Sequence, residues 1–327
     1  MARMLEIDYL RAVRYRLMVN RLGVRLAGGE YVVAARFGLQ DTAPRDALIG
    51  LHARVEGCEP SAWEAPGLVQ TYSPRAAVYV LPAEDFGVFT VGRMPLDDDK
   101  RRVIARQAER ICQELGGAEH RGGRGHELRS ACWTGRLALR WTTSALYVRE
   151  VPAPEIDFQD AHLELCRRHV QAFGPTTVDA FSWWSGLSKP DAREVWKLLD
   201  GELLPVELEG REGWILAADE QAVRSAPAPT GARFLVASDL RLFGQDRHGL
   251  FAGPGQKPRI HLHDWYHPHG LMLNGEIRGA WGRKGGKVDL RTTGPLSDQD
   301  RAAIESEALS MPIPGATMAL TLTEMEP

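Results

Sequence analysis

Lysine is missing from the first 95 residues, where all eleven basic side chains are arginine. Cysteine is scarce throughout: Cys58, Cys112, Cys132 and Cys166 are scattered with no C-x-x-C spacing. That pattern argues against a thiolate zinc site, implies no disulfide framework, and suits a reducing cytoplasm. The strongest apolar runs, such as Ala76 to Leu81, have about the length of one strand, and no apolar signal core opens the chain. Neither a membrane span nor a secretory leader is therefore expected. The sequence has no G-x-x-x-x-G-K-[ST] loop and no G-x-S-x-G elbow, which leaves nucleotide hydrolysis and serine-hydrolase chemistry without support. The expectation is a cytoplasmic protein, most simply a monomer, with no cofactor.

The charge that is present is unevenly divided. Residues 1–150 carry 22 Lys and Arg against 18 Asp and Glu, and residues 151–327 carry 18 against 25, so a net +4 is followed by a net −7. Arginine is the side chain suited to bidentate phosphate contacts, although a genome rich in arginine codons would give the same bias.

At 327 residues the chain is expected to hold several compact units. Residues 7–22 place Leu10, Val13, Leu17 and Met18 at helical spacing, with Arg11, Arg14, Arg16 and Arg21 mostly off that stripe. Short helices over 30–37 and 45–56 follow, then strands over 68–72 and 77–81 about a Ser73-Pro74-Arg75 turn. Helices followed by a hairpin suggest a winged helix over 1–95. A second, less regular unit over 96–152 has a helix from Asp97 to Leu115, a flexible basic loop at Arg121 to His126, and strands over 137–141 and 145–149. Two prolines in Val151 to Glu155 read as a linker. The pattern is clearest over 156–224. Helix 158–173 stops at Gly174, a helix runs from Pro175-Thr176 to Trp184, and Ser188 caps a third; strands over 203–207 and 213–217 complete it. Residues 230–327 differ in texture. Asn274-Gly275 and Lys284-Gly-Gly-Lys287 are turn signals that make 271–293 a three-stranded meander, followed by a capped helix over 297–309 and a strand near 317–323. The fold class expected is α+β: three tandem winged-helix units with a C-terminal β-rich portion.

The stretch Phe37 to Pro44 reads as a helix entry, with Asp41 or Thr42 as N-cap and Pro44 in the first turn. Gln40 has no part in that reading. Its neighbourhood, with other stretches, resembles a known family: bacterial tandem winged-helix proteins that include the alkylpurine DNA glycosylases acting on bulky, toxin-derived and crosslinked adducts. The resemblance rests on Gly38-Leu39-Gln40, on Arg75 with Pro82-Ala-Glu-Asp85, on Gly174-Pro175-Thr176 with Trp184-Ser-Gly-Leu187, on Asp246-Arg247, and on Asn274-Gly275 through Gly279-Ala-Trp281. It implies three winged helices in a C-shape around damaged double-stranded DNA.

The resemblance also implies a catalytic Gln-x-Gln or Gln-x-Asp pair near the damaged nucleotide. Here Gln40 stands first and Thr42, a departure, second. The hairpin departs as well, with Arg75-Ala76-Ala77-Val78-Tyr79 where Arg-Gly-Thr-Leu-His is expected. Hydrolysis of an N-glycosidic bond passes through an oxocarbenium-like state, so a group that positions water and a nearby negative charge both help. A Gln carbonyl can orient water, a Thr hydroxyl cannot act as a base near neutral pH, and the Asp41 carboxylate is expected to point away from Gln40. Gln40, Thr42 and Asp41 are the catalytic candidates. Arg75, Arg278, the hairpin tip Arg283, Lys284 and Lys287, and the loop residues Arg121 and Arg124 are the DNA-binding candidates. The alternative reading is a non-enzymatic DNA-binding regulator.

His261, His263, His267 and His269 put four imidazoles in nine residues. Zinc is one reading, phosphate contact or core hydrogen bonding another, and no metal is expected.

Overall fold

The computed structural model describes residues 4–43, 45–123, 125–244 and 269–325. It is a mixed α and β chain in which three sheets carry the helices. The first segment comprises β1 (Leu5–Ile7), α1 (Tyr9–Val19), α2 (Tyr31–Ala34), β2 (Leu39–Gln40), α3 (Asp46–His52), β3 (Leu68–Tyr72), β4 (Val78–Pro82) and α4 (Phe86–Thr90). The second comprises α5 (Asp98–Leu115), β5 (His120–Arg121), α6 (His126–Ala131), β6 (Leu137–Trp141) and β7 (Leu146–Glu150). Next come α7 (Phe158–Phe173), α8 (Val178–Ser185), α9 (Lys189–Lys197), β8 (Leu203–Leu208), β9 (Arg211–Leu216) and α10 (Glu220–Ser225). The last described segments hold β10 (Ala232–Leu235), β11 (His269–Leu273), β12 (Glu276–Lys284), β13 (Lys287–Thr293), α11 (Asp298–Leu309) and β14 (Ala319–Met325).

Local chemistry sets the start of six of the described helices. Asp8, Asp97, Asp157, Thr177, Ser188 and Ser297 each accept a backbone N–H of the first turn of α1, α5, α7, α8, α9 and α11, satisfying donors that no helical carbonyl reaches. No described helix is long and apolar enough to cross a membrane.

The long-range pairings are less local. Strand β1 runs parallel to β8, with Leu5 opposite Val206, so the N-terminus completes the sheet β1-β8-β9. The hairpins β3-β4 and β6-β7 are joined edge to edge through Gln70 opposite Leu139, giving a six-stranded sheet of order β2-β4-β3-β6-β7-β5. Gln70 locks that seam: its Oε1 accepts the Trp141 N–H at 2.7 Å and its Nε2 donates to Asp41 at 3.3 Å. The third sheet, β10-β11-β12-β13-β14, packs Trp281, Val288 and Leu290 against α11.

One expectation is corrected. Arg16 is not a solvated residue off the apolar stripe of α1: it is 1% exposed, while Leu10 is 53% exposed. Its guanidinium donates to the carbonyls of Phe173, Gly174 (3.2 Å) and Pro175 (3.0 Å) where α7 ends, and to Leu242 (3.3 Å). A helix terminus gathers orphan carbonyls, and a five-donor fork can satisfy several at once. The basic stretch over 121–126 joins β5 to α6: Arg121 ends the strand, His126 opens the helix, and the described residues Gly122, Gly123 and Gly125 between them are loop.

Candidate active site

Gln40 sits on an edge strand, opposite Tyr79 of β4. Gly38, at φ +76°, makes the close approach possible: a Cβ there would lie 2.8 Å from the Tyr79 ring and 2.9 Å from Leu81. Strand alternation then sends Gln40 and Asp41 to opposite sides. The Gln40 carbonyl oxygen accepts from Arg241 at 2.6 Å and from the Tyr79 hydroxyl at 3.3 Å, while its amide donates to the Thr42 hydroxyl. These partners fix which end of the amide is oxygen, because a guanidinium cannot accept a hydrogen bond.

Gln40 faces a narrow cleft bordered by Phe37, Asn20, Trp184 and Arg241, with the buried pair Arg54–Asp239 (2.8 Å) at its side. The space open to water there is about 40 Å³. A water centre needs roughly 10–15 Å³, so the cleft holds a few waters and is too small for a base.

Asp41 is turned inward and 1% exposed. The N-cap of α3 is Arg45, at φ +87° and with no side-chain capping bond, so neither Asp41 nor Thr42 holds the cap position expected of it; the Asp41 carboxylate instead reaches the Ala47 N–H from further back, at 3.0 Å, and the Thr42 hydroxyl accepts from Gln40. Burial raises the Asp41 carboxyl to about 6, against the opposing Ala47 N–H and Arg45 charge. Pro44 lies outside the described residues.

A carboxylate the sequence reading passed over stands beside the loop. Asp46, the first residue of α3, accepts the Ala43 N–H at 3.2 Å and lies 4.0 Å from His269 Nε2. Burial lifts its carboxyl to about 7, with the neighbouring Asp41 charge adding and Arg283 opposing. His269 stacks on Trp281 at 4.7 Å and accepts the Ala237 N–H on Nδ1; burial lowers it to about 4, so it is neutral near pH 7. An acidic residue in a first turn reads as ordinary capping, and nothing in the sequence ties position 46 to position 269.

The DNA-binding candidates divide. The Arg75 guanidinium lies 3.8 Å over the Trp183 ring, and Arg241 approaches the same ring at 5.6 Å, so Arg75 is brought into line with Gln40. Asp85 pairs with Arg168 at 2.8 Å. At the β12-β13 tip, Lys284 and Lys287 are exposed, whereas Arg283 shares the inner face of Trp281 and acts on Asp46. Arg278 donates to the carbonyls of Thr293 and Pro295 at 3.4 and 3.3 Å. Arg121 is exposed on β5, at the far edge of the sheet from Gln40. Arg124, His261, His263 and His267 fall outside the described residues, as do Asp246 and Arg247. Among the described residues no group of three or more His, Cys, Asp or Glu side chains could hold a metal.

Known proteins resemble this chain at two levels. The solved structure of the Streptomyces sahachiroi DNA glycosylase AlkZ superimposes with a TM-score of 0.74 at 16% identity, covering 98% of this chain and 100% of that one. That likeness concerns the fold. A curated interstrand DNA cross-link repair glycosylase from Streptomyces sahachiroi is 25% identical over 176 residues, 49% of this chain; the match spans about half of that relative, 47% of its length. Residues 121–311 match the model described as DNA glycosylase AlkZ-like, a segment that starts beyond Gln40 and Thr42. On that match, which covers more than half its length, the chain belongs to the AlkZ-like DNA glycosylase family.

Proposed function

We propose that this protein is a monofunctional DNA glycosylase that hydrolyses the N-glycosidic bond of alkylated or bulky N-linked adducts in duplex DNA. The carrying observation is the fixed Gln40 amide at a water-sized cleft. In this arrangement Arg241 and Tyr79 occupy the Gln40 oxygen, so the free amide N–H and the Thr42 hydroxyl hold the water, and Asp46 supplies the negative charge that an oxocarbenium-like state favours. An alkylated base that is already cationic leaves readily, so modest assistance suffices. A cleft too small for a base is consistent with approach to the sugar from the side, without a base pocket.

The three units over 1–95, 96–152 and 156–224 act as winged helices on double-stranded DNA, and 230–327 adds the β-rich portion. Lys284, Lys287, Arg75, Arg121 and Arg124 meet phosphates; Arg278 contributes from the base of its hairpin. The protein works as a cytoplasmic monomer. The relatives' descriptions as DNA glycosylases, one of them for interstrand cross-links, support the enzymatic reading over a purely regulatory binder.

The test is incubation with duplex containing 7-methylguanine or a bulky N7 adduct, followed by alkaline cleavage at abasic sites. Strand breaks well above a Gln40→Ala control are expected. Equal yields from both proteins would leave DNA binding without catalysis.

A further inference from the structure

Of the four imidazoles in residues 261–269, His269 is the one within the described residues, and its ring is held on several sides. It opens β11 opposite Trp281 of β12 and stacks on that indole, with ring centroids 4.7 Å apart. The indole is fixed in turn, because its N–H donates to the Leu235 and Gly270 carbonyls, both at 3.1 Å.

The two ring nitrogens have different tasks. Nδ1 accepts the Ala237 N–H at 3.0 Å, and a neutral imidazole that accepts on Nδ1 carries its hydrogen on Nε2. Burial keeps His269 neutral near pH 7. Nε2–H is then the donor of the ring, and it lies 4.0 Å from Asp46 Oδ1. The other Asp46 oxygen accepts the Ala43 N–H, in the loop that follows Gln40 and Thr42.

A separation of 4.0 Å is too long for a direct hydrogen bond, and one water about 2.8 Å from each atom bridges it. Both side chains reach solvent, His269 at 24% exposure and Asp46 at 15%. The other charges around the pair are Arg283 on β12, Asp41 just after β2, and Asp239 in the short helix Asp239–Phe243. Two of these are carboxylates that disfavour charge on Asp46, so a fixed neutral donor joins Arg283 in favouring it. Packing alone would be served by the stack and the Nδ1 contact. It does not require the remaining N–H to face a carboxylate from a distant part of the chain.

We propose that His269 is a positioning residue for Asp46: through one water, its Nε2–H orients and stabilises the charged carboxylate beside the Gln40 loop. The role rests on the glycosylase reading, in which the Asp46 charge favours the oxocarbenium-like state. His269 itself exchanges no proton with the substrate.

Two variants separate this role from packing. Asn places a polar atom near the Nδ1 position and none at Nε2, and Gln does the reverse. The readout is single-turnover base release from 7-methylguanine duplex as a function of pH. His269→Asn should move the limb that rises with ionisation of Asp46 up by about half a pH unit or more, and His269→Gln should leave it within ~0.2 units of wild type. A packing role would lower the melting temperature of both and move the limb in neither. A second measurement needs no His269 variant. By NMR, the ring nitrogens of the otherwise unaltered protein should show Nε2 protonated and a step near pH 7 that Asp46→Asn abolishes, since the ring itself titrates near 4. An unmoved limb in His269→Asn, an equal shift in His269→Gln, or ring signals without a step near 7 overturns the proposal while the glycosylase reading stands. No base release by the wild-type protein removes that reading, and the role proposed here with it. If His269→Asn does not fold, as judged by circular dichroism, the ring signals decide.

Discussion

The guanidinium of Arg241 holds the side-chain oxygen of Gln40 at 2.6 Å, across 201 residues of sequence. Arg241 is itself placed by its neighbours: its ring contact is Trp183, and the backbone just beyond it is gripped by Arg16 through the Leu242 carbonyl. The orientation of the Gln40 amide is thus a property of the tertiary structure and not of the loop that carries it.

Arg241→Ala is accordingly expected to slow base release from 7-methylguanine duplex by roughly 10²-fold, the scale associated with small misplacement of a reacting group. Duplex affinity should change much less. Single-turnover rates with a parallel binding titration separate the two, and a pure loss of affinity would show that Arg241 serves DNA binding and not Gln40.

Asp41 has a structural task, so Asp41→Ala should destabilise the fold by about 1–3 kcal/mol, because the buried Ala47 N–H loses its acceptor. The Gln70 amide at the sheet seam also loses its acceptor. Urea melts measure this, and activity per folded molecule should stay within a few-fold of wild type.

Asp46 titrates near 7, and its charged form is the useful one. Base release should rise with pH through about 7 and level off above it, and Asp46→Asn should abolish that rise. The stability linkage has the opposite sense. Because the folded carboxyl is raised above its unfolded value near 4, its contribution is full below that pH and is lost as pH climbs through 7. Arg283→Ala removes the opposing positive charge, so the rising limb should move to higher pH.

His169 is buried against Phe181 and Trp184 and bonds the Thr176 hydroxyl at 3.0 Å; burial lowers it to about 3. Its stability contribution is present above the unfolded value near 6.5 and drains away as pH falls toward 3. His169→Gln keeps a polar group for Thr176 but does not titrate. The decline in melting temperature between pH 6.5 and 4 should therefore be shallower in the variant by one proton's worth of linkage.

Lys284 and Lys287 flank a two-glycine turn and project away from the body. Replacing both by alanine should reduce the salt dependence of duplex binding by about 1.8 in the log-log slope, if each neutralises one phosphate. Fluorescence anisotropy at several salt concentrations reads that slope directly.

Much of this was legible in the chain. Strand Leu68–Tyr72, helix Phe158–Phe173 and the meander around Asn274-Gly275 fall where caps, turn residues and periodicity put them. Those signals are local, and so they survive in a linear reading. What stayed hidden is long-range. Three residues of β1 carry no pattern that names β8 as a partner, and Gln70 is an ordinary polar strand residue until Trp141 and Asp41 converge on it. Arg16 broke the amphipathic rule because its partners are helix-end carbonyls more than 150 residues away. Gln40 and Thr42 are candidates through the resemblance to the family motif, whereas the surroundings of Asp46 and Arg241 needed the fold, since burial and a distant contact give each its character.

The fusion of two hairpins into one sheet also sets a ruler. From β2, which carries Gln40, to β5, which carries Arg121, there are five inter-strand steps. At ~4.8 Å each these span about 24 Å, the rise of roughly seven base pairs. A duplex that engages both edges must therefore extend about that far to one side of the lesion. Adducts placed nearer than this to a blunt end should be released more slowly than the same adducts in the middle of a longer duplex.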